Sequence, residues 1–224
     1  MAKRVVYSLM QMMAWSDRRR IATINSLSGF KSATLVGTSS PEHGDNLAVI
    51  SSIVHLGANP PLMGMILRPP GDDSHTYHNL MSTKVCTFNH IHEGIVEKAH
   101  QTSARYPRGT SEFDAVGLTS EKHDDFIAPY VKESKIRIGL SLNDDTEKSD
   151  IELVNGCRMI VCKVEWIDIP EDSIATDGYV DLESTRGVAI SGLDGYHTTS
   201  GIGRFSYAKV DKTSEKRTDF KQGW

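Results

Sequence analysis

One group of residues in this chain has the types and spacing to do chemistry. Asn46-Leu47-Ala48-Val49-Ile50-Ser51-Ser52 leads through the turn His55-Leu56-Gly57-Ala58-Asn59-Pro60-Pro61 to Gly64-Met65-Ile66-Leu67-Arg68-Pro69. Serine hydroxyls and free backbone N–H groups at a strand end, with an arginine nearby, are what an anionic ligand such as a phosphate needs. Arg68 is the only Arg or Lys between Lys31 and Lys84. The same stretch also fits a plain pair of barrel strands with serine on the polar face. On the residues alone both readings stand.

Other chemistries lack their signals. His75-x-x-His78 and His90-x-His92 are the tightest histidine pairs, and no Cys or carboxylate completes a zinc ligand set around either. No metal site is expected. Gly-x-Gly-x-x-Gly, the P-loop pattern and Gly-x-Ser-x-Gly are all absent, so a Rossmann site, a phosphate loop and a nucleophile elbow lack support. Cys86, Cys157 and Cys162 show no metal-knuckle spacing. Cys157 and Cys162 are five apart and point to opposite faces of one strand, while Cys86 sits in another. No catalytic side chain is identified.

The elements that must position these residues are short apolar runs bounded by turn residues, which read as strands. They cover residues 33–38, 47–54, 62–67, 85–90, 136–142 and 157–166, with a polar hairpin loop at 39–45. Short helices fit near 76–81 and 95–103. Residues 1–30 read as a helical or irregular lead-in and 211–224 as a charged tail, leaving a single domain over 1–210. Many short strands with few helices indicate a β-barrel or sandwich with added helices.

The 224 residues carry 25 Lys+Arg against 29 Asp+Glu, a net charge of −4, with 38% hydrophobic residues. That fraction can fill a core. The balance gives no reason to expect nucleic acid or an anionic membrane. No apolar run is long enough to cross a bilayer, and the first residues do not read as a secretory signal. Three cysteines without a pairing pattern fit a reduced, cytoplasmic setting.

The residues also carry a resemblance. Asn46–Ser52, the 55–61 turn and Arg68-Pro69 are similar to the flavin reductase-like, FMN-binding split-barrel family. Further blocks follow in family order: Phe88-Asn89-His90, Thr102-Ser103-Ala104-Arg105-Tyr106-Pro107-Arg108-Gly109, Ser111-Glu112-Phe113-Asp114-Ala115-Val116-Gly117-Leu118-Thr119, Asp177-Gly178-Tyr179-Val180-Asp181-Leu182 and Ser191-Gly192-Leu193-Asp194-Gly195-Tyr196. The resemblance runs from about residue 25 to 208.

It implies a mainly β fold with added helices, an antiparallel six-stranded split barrel that forms a homodimer with FMN in a groove at the interface. Asn46, Leu47, Ala48 and Val49 would then run along the flavin ring, largely through backbone groups. Ser51, Ser52, Arg68, Ser74 and Thr76 would lie at the ribityl chain and phosphate, with Ser103 and Ala104 near the flavin edge. The implied activity is NAD(P)H-dependent flavin oxidoreduction, with NADH or NADPH as donor and a small molecule or second flavin as acceptor. The alternatives are an FMN-binding non-reductase of the same fold (oxygen-using, carrier or sensor) and a structural dimer that has lost its cofactor. Because the cofactor carries the hard chemistry, missing triads and paired carboxylates are compatible with a redox enzyme.

Overall fold

The computed structural model describes residues 4–143 and 146–217. Two short helices lead in, α1 (Leu9–Met13) and α2 (Asp17–Leu27), each opened by a serine whose hydroxyl accepts a first-turn amide. Neither buries a single residue. The strands that follow are β1 (Lys31–Ser32), β2 (Thr34–Ser40), β3 (Gly44–Ile50), β4 (Ile53–Ala58) and β5 (Pro61–Leu67). Then come α3 (His75–Thr83), β6 (Val85–His90), α4 (Val96–Gln101), α5 (Glu112–Val116) and the short pair β7 (Ser120–Glu121) and β8 (Tyr130–Val131). β9 (Arg137–Leu142), α6 (Thr146–Ser149), β10 (Asp150–Glu152), β11 (Arg158–Asp168), β12 (Val188–Ser191) and β13 (Gly195–Thr198) complete the α-helices and strands.

The main sheet is antiparallel throughout, in the order β3-β2-β6-β9-β11-β5-β4, with β10 added on β11. β3 and β4 end this order at opposite sides, yet only Ser51 and Ser52 separate them in the chain. The run therefore acts as one bent strand that pairs with β2 before the bend and with β5 after it. Counted that way the sheet has six long strands, and the chain itself bridges the gap left in the hydrogen-bonded path.

The expected strand over 47–54 is thus divided, and the loop expected at 39–45 is tighter, with β2 and β3 pairing up to Ser40 opposite Gly44. The helix expected over 95–103 is a short 3-10 turn at Glu93–Ile95 followed by α4. The charged tail expected at 211–224 is described to residue 217, and 218–224 lie outside the described residues.

Alternation along β2 sorts side chains into two cores. Val36 joins Met65, Phe88, Leu140, Ile160 and Cys162 inside the barrel. Leu35 and Leu47 join Ile91, Ile95, Phe113 and Ile190 in an outer core between the sheet and a layer formed by α4, α5 and β12. Cys86 and Cys162 come from different strands as expected, but both are fully buried and their thiols interact, which with burial pushes the Cys86 thiol up. Cys157 lies just ahead of β11 rather than within it.

Candidate functional site

The site grows from the outer edge of β3. In the pairing with β2, Leu47 lies opposite Gly37 and Val49 opposite Leu35. The Leu47 N–H turns away from β2 and donates to Glu112 Oε2 at 2.9 Å. In an antiparallel pair, residues two apart point their backbone groups the same way. The Val49 N–H and the Leu47 and Val49 carbonyls therefore share that outer edge, which no strand among the described residues covers. Asn46 is buried beside it and donates to Thr38 Oγ1 at 3.2 Å and to Thr76 Oγ1 at 3.1 Å. Ala48 and Val49 are half-buried.

The bend at Ser51–Ser52 carries this edge across to β5, where the Ile66 N–H donates to the Ser52 carbonyl at 2.9 Å. Arg68 follows two residues later, exposed just beyond the end of β5. The chain then folds back: Ser74 Oγ accepts from the Gly71 N–H at 2.9 Å, and the Ser74 N–H donates to the Gly71 carbonyl at 3.0 Å. His78 Nε2 lies 3.0 Å from that same carbonyl. Ser74 caps α3 by position only, since its hydroxyl is engaged in the loop.

Two anchors fix this region. Tyr77 donates its hydroxyl proton to Asp150 Oδ2 at 2.8 Å, and Arg158 Nε holds the other oxygen at 2.8 Å, tying α3 to β10 and β11. Burial and that carboxylate raise the Tyr77 phenol above its ordinary value. Arg105 lies 3.8 Å from Asp73, which brings the turn after α4 to the loop after β5. Ser103 and Ala104 sit on that turn, exposed, with their amides bonded to the His100 and Gln101 carbonyls.

The structure therefore gathers Asn46, Leu47, Ala48, Val49, Ser51 and Ser52 along one bent edge, with Arg68 just past the end of β5. Thr76 is linked to that edge through Asn46, whereas Ser74 is bonded within the loop after β5, and Ser103 and Ala104 lie on the turn whose Arg105 pairs with Asp73 of that loop.

Asn46 meets other residues here that are not among the expected flavin contacts. A small polar cleft beside the β3 edge is lined by His43, Asp45, Asn46, His75, Asn79 and Arg108, among others. Glu112 lies at the start of α5, only 6% exposed, and burial raises its carboxyl above the ordinary value despite the Leu47 amide and nearby His75. A glutamate in a first helical turn is an ordinary sequence feature. The signal that could have marked it is the apolar Phe113 beside it, which is fully buried and draws the helix inward. Among the described residues no group of His, Cys, Asp and Glu could hold a metal ion.

A family model described as flavin reductase like domain matches residues 27–183. No curated protein sequence matches the chain. A split-barrel structure from Shewanella frigidimarina NCIMB 400, assigned to the flavin reductases, is 44% identical with a TM-score of 0.86, covering 92% of this chain and 100% of that one. Nitrilotriacetate monooxygenase component B from Bacillus cereus is 18% identical with a TM-score of 0.76, covering 91% and 100%. The NADH:FAD oxidoreductase of Streptomyces globisporus C-1027 is 13% identical with a TM-score of 0.63, covering 83% and 95%. At these last two identities the likeness is one of fold.

Proposed function

The chain belongs to the flavin reductase-like, split-barrel family of flavin-dependent oxidoreductases, and from that premise we propose that its flavin is FMN, held along the bent β3–β4 edge, with NADH or NADPH as electron donor. The observation that carries this reading is the outer edge of β3, which pairs with no further strand among the described residues and runs on into Ser51–Ser52, with Arg68 just past the end of β5. An isoalloxazine ring needs hydrogen-bond donors at N5 and O4 and an acceptor for N3–H. The Val49 N–H and the Leu47 and Val49 carbonyls can serve those atoms without any special side chain. When bound, the flavin supplies the two-electron redox chemistry between a reduced nicotinamide and an acceptor.

The protein's own groups bind and orient. Asn46, buried and bonded to Thr38 and Thr76, keeps the start of the edge in register with α3. The Ser51 and Ser52 hydroxyls and the Arg68 guanidinium suit a phosphate, since a partly buried phosphate monoester requires charge-assisted donors. Ser74 and Thr76 stand at the adjoining loop and helix start. Ser103 and Ala104 border the same groove from the turn after α4.

The proposal extends to a cytoplasmic homodimer whose single domain runs to about residue 210. Its support is the lead-in, where Leu9, Met10, Met13, Ile21, Ile24 and Leu27 all stand exposed on α1 and α2. Among the described residues no helix is long and apolar enough to cross a membrane. Steady-state oxidation of NADH and of NADPH, each with and without added FMN, tests the activity. Flavin-dependent oxidation of at least one nicotinamide is expected. Bound FMN with no oxidation of either would assign the chain to a non-reductase role.

A further inference from the structure

Glu112 is the buried carboxylate of this molecule that sits against the candidate flavin edge. Its helix, α5, has five residues and is anchored by Phe113 in the outer core, so packing alone would hold it there. The carboxylate at its start adds something different. It accepts the Leu47 N–H, an amide on a fully buried residue whose outward side faces no strand. A buried amide without a partner is costly, and so is a buried charge. Here each satisfies the other.

We propose that Glu112 is a positioning residue for the flavin ring. By capping the Leu47 amide it fixes the outer edge of β3 and leaves the Val49 N–H and the Leu47 and Val49 carbonyls as the backbone groups offered to a ligand. Two elements besides its own face it: β3 through the Leu47 amide, and α3 through His75. This rests on the flavin reading of the edge, and it adds a residue that touches no ligand atom itself. It also sets a division of labour. Arg68 serves the phosphate end, so its loss should be felt by FMN alone, whereas Glu112 serves the ring end.

The test is titration of FMN and riboflavin into wild type, Glu112→Gln, Glu112→Ala and Glu112→Asp, read by the visible flavin band. Gln keeps an acceptor for the Leu47 amide without the charge, and Asp draws the acceptor back by one methylene. Ala is expected to weaken both flavins about tenfold, the size of one hydrogen bond to a charged group, and to alter the band shape of the bound flavin. Asp should weaken both flavins too, and Gln should restore affinity to within about threefold of wild type. Wild-type affinity and band shape in Ala would overturn the proposal, as would Gln failing as badly as Ala. If Ala does not fold, Gln and Asp decide: Gln intact with Asp weakened supports the positioning role, and equal behaviour of the two refutes it. Wild type that binds neither flavin would instead sink the reading of the edge on which the proposal stands.

Discussion

At the scale of single residues, the site rests on groups whose neighbours give them meaning. Arg68 is an exposed strand-end arginine, and such a residue contributes little to stability by itself. We propose it as a phosphate ligand because it follows β5, whose Ile66 amide bonds the Ser52 carbonyl. Arg68→Ala should therefore weaken FMN by about 1.5–3 kcal/mol, the usual range for a hydrogen bond to a charged group. Riboflavin, which lacks the phosphate, should lose little. Paired titrations of the two ligands check this, and equal losses would move Arg68 from the phosphate to the ring or the fold. Asn46, Ser51, Ser52 and Arg68 were legible because they lie on one short run of chain. Glu112 was not, because its partner Leu47 is 65 residues away and only folding joins them.

At the scale of elements, most strands follow from apolar runs and turn residues, and β6 falls on the residues expected. The bend between β3 and β4 escaped because residues 47–54 contain no Gly or Pro to punctuate them. It exists because the strand must leave β2 and join β5, which is a property of the sheet and not of the local sequence. The pairing of β12 with β1 was equally hidden, since it joins Lys31 to Ile190 across most of the chain, whereas β12 and β13 form a local hairpin. The 199–217 segment is tied back through Asp177, which takes Arg204 at 3.2 and 2.6 Å and Arg217 at 2.9 Å. Arg204 also lies 4.1 Å from the centre of the Tyr179 ring.

These arginines hold the Asp177 carboxyl well below its usual 3.8. A lowered carboxylate value means that the tie is fully present above about pH 4 and is lost as pH falls through the lowered value. Asp177→Asn should remove it at neutral pH. Tryptic cleavage after Lys209 should be faster in that variant, and the Tyr179 ring signals should lose their low-pH shift. Unchanged cleavage would show that other contacts hold the segment.

At the scale of the whole molecule, a barrel and an outer core are complete in one chain, whereas the lead-in helices are not. Val6, Leu9, Met10 and Leu27 are each more than two-thirds exposed, an apolar surface of the kind that marks an interaction site. A homodimer is expected, and light scattering of the purified chain checks it; a monomer that still binds FMN tightly would contradict it. Removing residues 1–28 should shift the equilibrium towards monomer while leaving both cores intact. We propose that this edge holds a flavin that takes electrons from a nicotinamide. The most direct measurement is the visible spectrum of the FMN-loaded protein, recorded anaerobically before and after NADH or NADPH is added. Bleaching of the oxidised flavin band by at least one of the two is expected. A band that both leave unchanged would contradict it.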